Sequence, residues 1–464
     1  MITHAVGFIQ YTRIRVWGKA SDDKVKKILT LSWYIGNKII IFIQIILEVL
    51  FTMINRNFAY LLMGQFVSQL GDKFHYIAVS FWVLKTTGSS AKMGAVLAAS
   101  LIPSLIVGFF SGAFVDRYNR KLIIVGTDLV RGLIIALFAL LFYFEMMNFY
   151  AILLMQAMLS VNAAFFDPAI PSVIPQMVSE KDLASANSKH QFVNGFSTIA
   201  GAFLAGIFIS SFGYLSAFIM NAVSFILSAG FECFIQIPPN LNQGQKKERS
   251  GLIQDMRQGY SYIFSKRILM ILLFMVMLIH FFVGSIEVFM PVIAAVFRDG
   301  PKSFGFFQTA FGLGTIMMAI VLSVKPIFKM GKTSLFTSVF FIGLLYVAAS
   351  FFNGSETVML SLFLVMIFLF GCCIICASIS FKTILQKGID NQFSGRVFAV
   401  AGSLGNAAIP GAMIVYGVLL ENYDYHLLLK ISGLVVMVLS GISLMAYKEK
   451  KYDPGTKEIT KPVT

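Results

Sequence analysis

One rhythm constrains this chain more than any other feature. From Phe58 to Tyr447, apolar runs of about twenty residues alternate with short polar breaks. A hydrocarbon layer ~30 Å thick is crossed by ~20 residues of helix. Lipid accepts only segments whose backbone polar groups are satisfied internally. The runs are therefore predicted as transmembrane helices at 58–84, 91–115, 121–144, 149–175, 189–211, 213–236, 268–297, 302–324, 333–353, 355–381, 393–421 and 425–447. The expected fold class is an all-α polytopic membrane protein, with twelve transmembrane helices in two pseudo-symmetric six-helix bundles.

Composition excludes the soluble alternative. The chain is 57% hydrophobic and 13% charged, against ~45–50% and ~25% in soluble domains, too little charge for a polar shell. A net charge of +15 raises nucleic-acid binding as a possibility, but position argues against it. Arg117, Arg120, Lys121, Lys181, Lys189, Lys325, Lys329, Lys332, Lys382, Lys387 and Arg396 fall on one set of alternate loops, and the other set is nearly bare. That asymmetry is topological. It puts both ends of the twelve-helix unit in the cytoplasm. Cys233, Cys372, Cys373 and Cys376 lie in apolar helices without acidic or histidine partners, so no disulfide framework or zinc site is expected.

Residues 1–52 form an N-terminal extension that is either an interfacial helix or not translated, since Met53 stands just before the first span. Residues 53–237 and 268–447 are the two expected bundles, joined by a basic cytoplasmic linker, 238–267, in which Leu252 to Phe264 suits an amphipathic interfacial helix. Residues 448–464 make a cytoplasmic tail. A faint repeat supports the six-plus-six division: Gly88-Ser-Ser-Ala-Lys-Met-Gly94 opens helix two and Gly300-Pro-Lys-Ser-Phe-Gly305 opens helix eight.

Ionisable residues inside the bilayer are the main functional clue, because each is costly unless paired or wetted. Gln65, Gln69, Asp72 and Tyr76 are spaced by four, three and four, one face of helix one, with His75 beside them. Asp72 falls near the bilayer centre and is the first candidate for proton coupling, the alternative being a fixed pair with Arg131 or Lys73. On helix seven, Glu287 is a second candidate and His280 a packing or cavity residue. Asp128 and Arg131, three apart on helix three, are expected to pair structurally. A cavity drawn from 47 Phe and 23 Met would be apolar and adaptable. No phosphate-cradling loop and no nucleophile–base set is present, so neither ATP-driven transport nor an enzyme is indicated.

The stretch Gly112-Ala-Phe-Val-Asp116-Arg117-Tyr-Asn-Arg120-Lys121, between helices two and three, resembles the signature loop of the major facilitator superfamily, with Asn119 where glycine is commoner. The resemblance implies a conformational latch made of Gly112, Asp116, Arg117, Arg120, Lys121 and an acid low on helix four, Asp167. Its copy after helix eight, Val324 to Lys332, keeps bases but has no acid. Ser68-Gln-Leu-Gly-Asp72, Asp128-Leu-Val-Arg131, Ala164-Phe-Phe-Asp-Pro-Ala-Ile-Pro and Asp182-Leu-Ala-Ser-Ala-Asn187 are similar to the macrolide-exporter branch of the drug:proton antiporters. The pattern departs at helix five, with Ala202 where antiporters often place proline.

The resemblance implies export of small hydrophobic or amphipathic molecules, macrolide-like drugs, by proton antiport. The proton gradient replaces any cofactor, the partners are the lipid bilayer and the substrate, and the chain acts as a monomer. Siderophore export, lysophospholipid flipping, and a receptor or sensor that kept the fold are the rival readings.

Overall fold

A computed structural model describes residues 54–236, 261–324, 331–388 and 391–446. The N-terminal extension, most of the linker with its amphipathic segment, the loop after helix eight and the C-terminal tail lie outside the described residues.

Helix starts follow local chemistry. Helix α1 (Arg56–Thr87) is capped by Asn55, whose side chain accepts from the Phe58 amide at 2.9 Å, and ends at Gly88, φ 62°. Ser89 caps α2 (Ser90–Ala99). The chain then breaks at Ser100–Leu101 and restarts as α3 (Ile102–Arg117), with Pro103 in its first turn, where a missing N–H costs nothing. Asn119 caps α4 (Arg120–Tyr143) through the Lys121 and Leu122 amides. This gives the unusual asparagine of the signature loop a definite role: glycine has no side-chain oxygen to offer there. Asn148 caps α5 (Phe149–Met177).

Helix α6 (Leu183–Cys233) runs 51 residues, about 76 Å at 1.5 Å per residue and too long for one crossing. It is two crossings joined at Gly213, where φ 79° and ψ 177° suit only glycine. The remaining helices are α7 (Arg267–Ala294), α8 (Gly300–Val324), α9 (Lys332–Ala349), α10 (Glu356–Gly388), α11 (Asn391–Asn422) and α12 (Tyr425–Ala446).

Ten helices among the described residues are long and apolar enough to cross a membrane. That count takes the doubled segment once and omits α1, whose stripe of Gln, Asp, Lys and His lowers its hydropathy. Restoring both gives the twelve crossings expected. The fifth crossing starts earlier and the tenth ends later than predicted, at Leu183 and Gly388, because polar helical turns extend past the apolar core.

The packing repeats itself. In the first half, α1 packs on α6, α3 on α5, and α4 on α6; in the second, α7 packs on α11, α8 on α10, and α9 on α12. The halves meet along α2 with α11 and along α6 with α8. Exchanging the halves exchanges these two seams, the signature of pseudo-two-fold repeats.

Candidate functional site

Close approach of two helices requires small residues, and glycine positions show where the halves touch. On α2, a Cβ at Gly94 would lie 2.3 Å from the Met413 carbonyl oxygen of α11. On the other seam, a Cβ at Gly206 would lie 2.9 Å from the Pro301 carbonyl and 3.0 Å from the Gly305 Cα. Both contacts sit at the end with few charges. Hydrogen bonds join the halves there too: Ser90 Oγ donates to the Gly417 carbonyl at 2.8 Å, Ser210 Oγ to Asp299 at 2.6 Å, and Ser89 to Glu421. This end is sealed.

At the basic end the helices of the first seam part. A Cβ at Gly108 or Gly112 on α3, or at Gly402 or Gly411 on α11, would meet nothing within 4 Å. The gap forms a cavity of about 620 Å³ lined by Ile102, Leu105, Ile106, Asn406, Pro410 and Ile414 among others. Gly112, expected in the latch, faces open space here.

Between the two ends lie the midplane acids. Glu287 on α7 is half-buried and accepts from two donors, Gln308 Nε2 of α8 at 2.9 Å and the Tyr76 hydroxyl of α1. The second bond crosses between the halves. Asp72 stands one turn before Tyr76 on α1 and is exposed, although its helix packs on several others. Tyr76 already faces the other half, so Asp72 opens onto the space between them. Its positive neighbours are Arg131 and Lys73, and Asp167 lies close as well. Arg131 itself makes its ion pair with Asp128, at 3.8 Å. Asp72 is therefore exposed and makes no ion pair among the described residues.

Several sequence expectations are redistributed. Gln65 and His75 are buried within the first half and do not line the cavity. His75 meets Gln156 of α5 at 2.9 Å and packs edge-on to Phe138 and Phe218. Gln69 donates to Asn194 at 2.7 Å, a neighbour of His190 on α6. His280 donates Nδ1–H to the Val276 carbonyl at 2.8 Å, and its ring lies against Gly405. Asp167, expected in the latch, is exposed, and Arg131 and Asp72 are among its charged neighbours.

Of the other latch residues, Asp116 lies in the last turn of α3 with its side chain outside the described residues. Arg117 is exposed, and Arg120 and Lys121 open α4, both half-buried. Sequence reasoning missed Gln308 and Glu232. Gln308 is a lone amide in an apolar helix, a signal that was available. Glu232 stands in the last turn of α6 beside Cys233, where an acid reads as a boundary residue.

The model of the Major Facilitator Superfamily matches residues 61–413. Macrolide efflux protein A of Streptococcus pyogenes is 20% identical over 396 residues, covering 84% of this chain and 96% of its own. The multidrug efflux pump Tap of Mycolicibacterium fortuitum is 22% identical over 402 residues, covering 83% and 95%. The crystal structure of the nucleoside transporter NupG superposes with a TM-score of 0.70 at 13% identity, over 85% of this chain and all of NupG.

Proposed function

This chain belongs to the Major Facilitator Superfamily, and on that premise we propose that it exports hydrophobic or amphipathic small molecules, macrolide-like drugs among them, by proton antiport. In this reading the basic end faces the cytoplasm of a bacterial cell. The conformation described above, tied together outward and parted inward along the first seam, is taken as the outward-sealed state.

The observation that carries the proposal is the bond between Tyr76 and Glu287, one turn from the exposed Asp72. An ionised Glu287 accepts charge-assisted bonds from Tyr76 and Gln308 and holds the outer end shut. Protonation removes the charge and weakens both bonds, which favours opening outward. Proton binding and conformation are then linked, as coupling requires. Asp72, reached from the opposite side, returns the proton to the cytoplasm when the chain faces inward. The efflux proteins among its relatives support the direction of transport. The mainly apolar cleft between α3 and α11 supports a hydrophobic substrate entering sideways from the bilayer.

The test is drug accumulation in an efflux-deficient bacterium expressing the full chain, with and without a protonophore. Expression is expected to lower accumulation, the protonophore to restore it, and Asp72→Asn to abolish the effect at normal protein levels. Unimpaired efflux by Asp72→Asn rejects the antiport mechanism.

A further inference from the structure

Deep in the first half, away from the cavity, lies a second group of acids. Asp128 of α4 and Glu232 of α6 are both fully buried, with no exposed surface. The two carboxyls lie against each other, and the hydroxyl of Ser228, one turn before Glu232, lies against both. Helix α1 closes the site from the third side: a Cβ added at Gly64 would stand 3.1 Å from Ser228 Oγ and 3.2 Å from Glu232 Cγ. No oxygen of either carboxyl, nor the Ser228 hydroxyl, makes a hydrogen bond of ordinary geometry.

The charges that face this pair are few. Arg131 lies 3.8 Å from Asp128 and is held between the rings of Phe166 and Phe225, 4.5 and 5.6 Å from their centroids. Asp72 faces Asp128 from α1, Asp167 of α5 shares Arg131, and the Cys233 thiol adjoins Glu232. One guanidinium offsets one carboxylate. Asp72 and Asp167 draw on the same guanidinium, so a second charge on the buried pair has nothing to answer it. An unanswered buried carboxylate in a membrane protein's interior is untenable, and two adjoining carboxyls relieve the strain by sharing a proton.

We infer that Asp128 and Glu232 form a proton-binding site of their own, the pair holding one proton next to the Ser228 hydroxyl. This deepens the antiport reading and rests on it only for its link to transport. The pair carries a single negative charge that occupies Arg131, so Asp72 faces a guanidinium already engaged. Loss of the shared proton would draw Arg131 further from Asp72, and gain of a second would release it. The pair thereby sets the charge that the cavity acid sees.

Infrared spectroscopy of the full chain, reconstituted in phosphatidylethanolamine–phosphatidylglycerol vesicles, tests this through the carbonyl stretch of protonated carboxylic acids. At neutral pH the wild type is expected to show such a band, shifting slowly in heavy water. Glu232→Gln should lose it, and Asp128→Asn should lose it too, since the remaining acid then ionises against Arg131. Asp72→Asn should keep it. Ser228→Ala, a milder change in case the amide variants fold poorly, should keep the band but displace it, because the hydroxyl beside the pair is gone. A band unchanged in both Glu232→Gln and Asp128→Asn overturns the proposal, as does an unmoved band in Ser228→Ala if neither amide variant folds. Unimpaired pumping by Asp72→Asn together with band loss in Glu232→Gln would remove the antiport mechanism and leave the proton site standing.

Discussion

The two halves share a packing scheme but treat buried polarity in opposite ways. In the second half the fully buried Tyr346 hydroxyl is bonded to Ser285 at 2.8 Å and to the Phe282 carbonyl at 2.9 Å, and Tyr416 meets Ser432 at 2.6 Å. These are neutral groups, and they are satisfied. In the first half Asp128, Glu232, Ser228, Asn221 and Gln65 are all buried with at least one side-chain atom lacking a partner. Among the described residues, every buried side-chain polar atom without a hydrogen bond lies before residue 233. Saturated hydrogen bonding makes a rigid body, and unsatisfied ionisable groups make one that responds to protons. The comparison gathers the buried, unpartnered ionisable groups in the first half, while the second contributes one acid, Glu287, that reaches across.

The sharpest test of this comparison is to neutralise one acid in each half. Asp72→Asn and Glu287→Gln are each expected to reduce proton-dependent efflux to the background of cells lacking the protein. The first returns no proton to the cytoplasm, and in the second a neutral amide no longer changes its hold on Tyr76 and Gln308. Retained proton-dependent efflux in Glu287→Gln would confine the coupling to the first half.

A smaller effect is expected at the bond between the halves. Tyr76→Phe removes a donor to a charged acceptor, worth ~1.5–3 kcal/mol, and should shift the conformational balance away from the outward-sealed state by about tenfold or more. Distances between spin labels on α2 and α11 at the sparsely charged end, which should lengthen, report that balance. Gly94→Ala should lengthen the same distance, since its Cβ would press on the Met413 carbonyl, a strain of ~1–3 kcal/mol. Gly112→Ala, which meets open space here, should leave that distance as it is.

The smallest change belongs to the second half. Tyr346→Phe gives up neutral hydrogen bonds and should cost ~1 kcal/mol of stability, read as a lower thermal midpoint with efflux nearly unchanged. A large loss of efflux there would undo the picture of a second half stiffened by neutral, satisfied groups.

Much of the fold was legible because lipid imposes a length and a polarity on every crossing. Even the doubled α6 was read as two spans, since a run of that length exceeds the bilayer. The break at Ser100–Leu101 was overlooked, although Pro103 announced it. For the site, the spacing of Gln65, Gln69, Asp72 and Tyr76 identified a helical face correctly but assigned it a single environment. In the structure that face is buried at Gln65, bonded to α6 at Gln69, exposed at Asp72 and bonded to the other half at Tyr76. Asp167 was assigned to the latch by resemblance, and nothing in the sequence indicated that Arg131 and Asp72 would be among its charged neighbours.

Sequence by itself determined that this chain crosses a membrane as paired helical bundles, because hydropathy and chain geometry are local properties that survive without neighbours. It also determined which residues are chemically out of place in oil, Asp72, Asp128, Arg131 and Glu287 among them. Beyond the local Asp128–Arg131 pair, tertiary structure decided which of those groups meet. Glu232 joins Asp128 from a helix about a hundred residues away, Tyr76 reaches Glu287 across 211 residues, and Gly112 is left facing space. Those pairings depend on how rigid helices are rotated and tilted against each other. That is a property of the whole packing, and no window of sequence carries it.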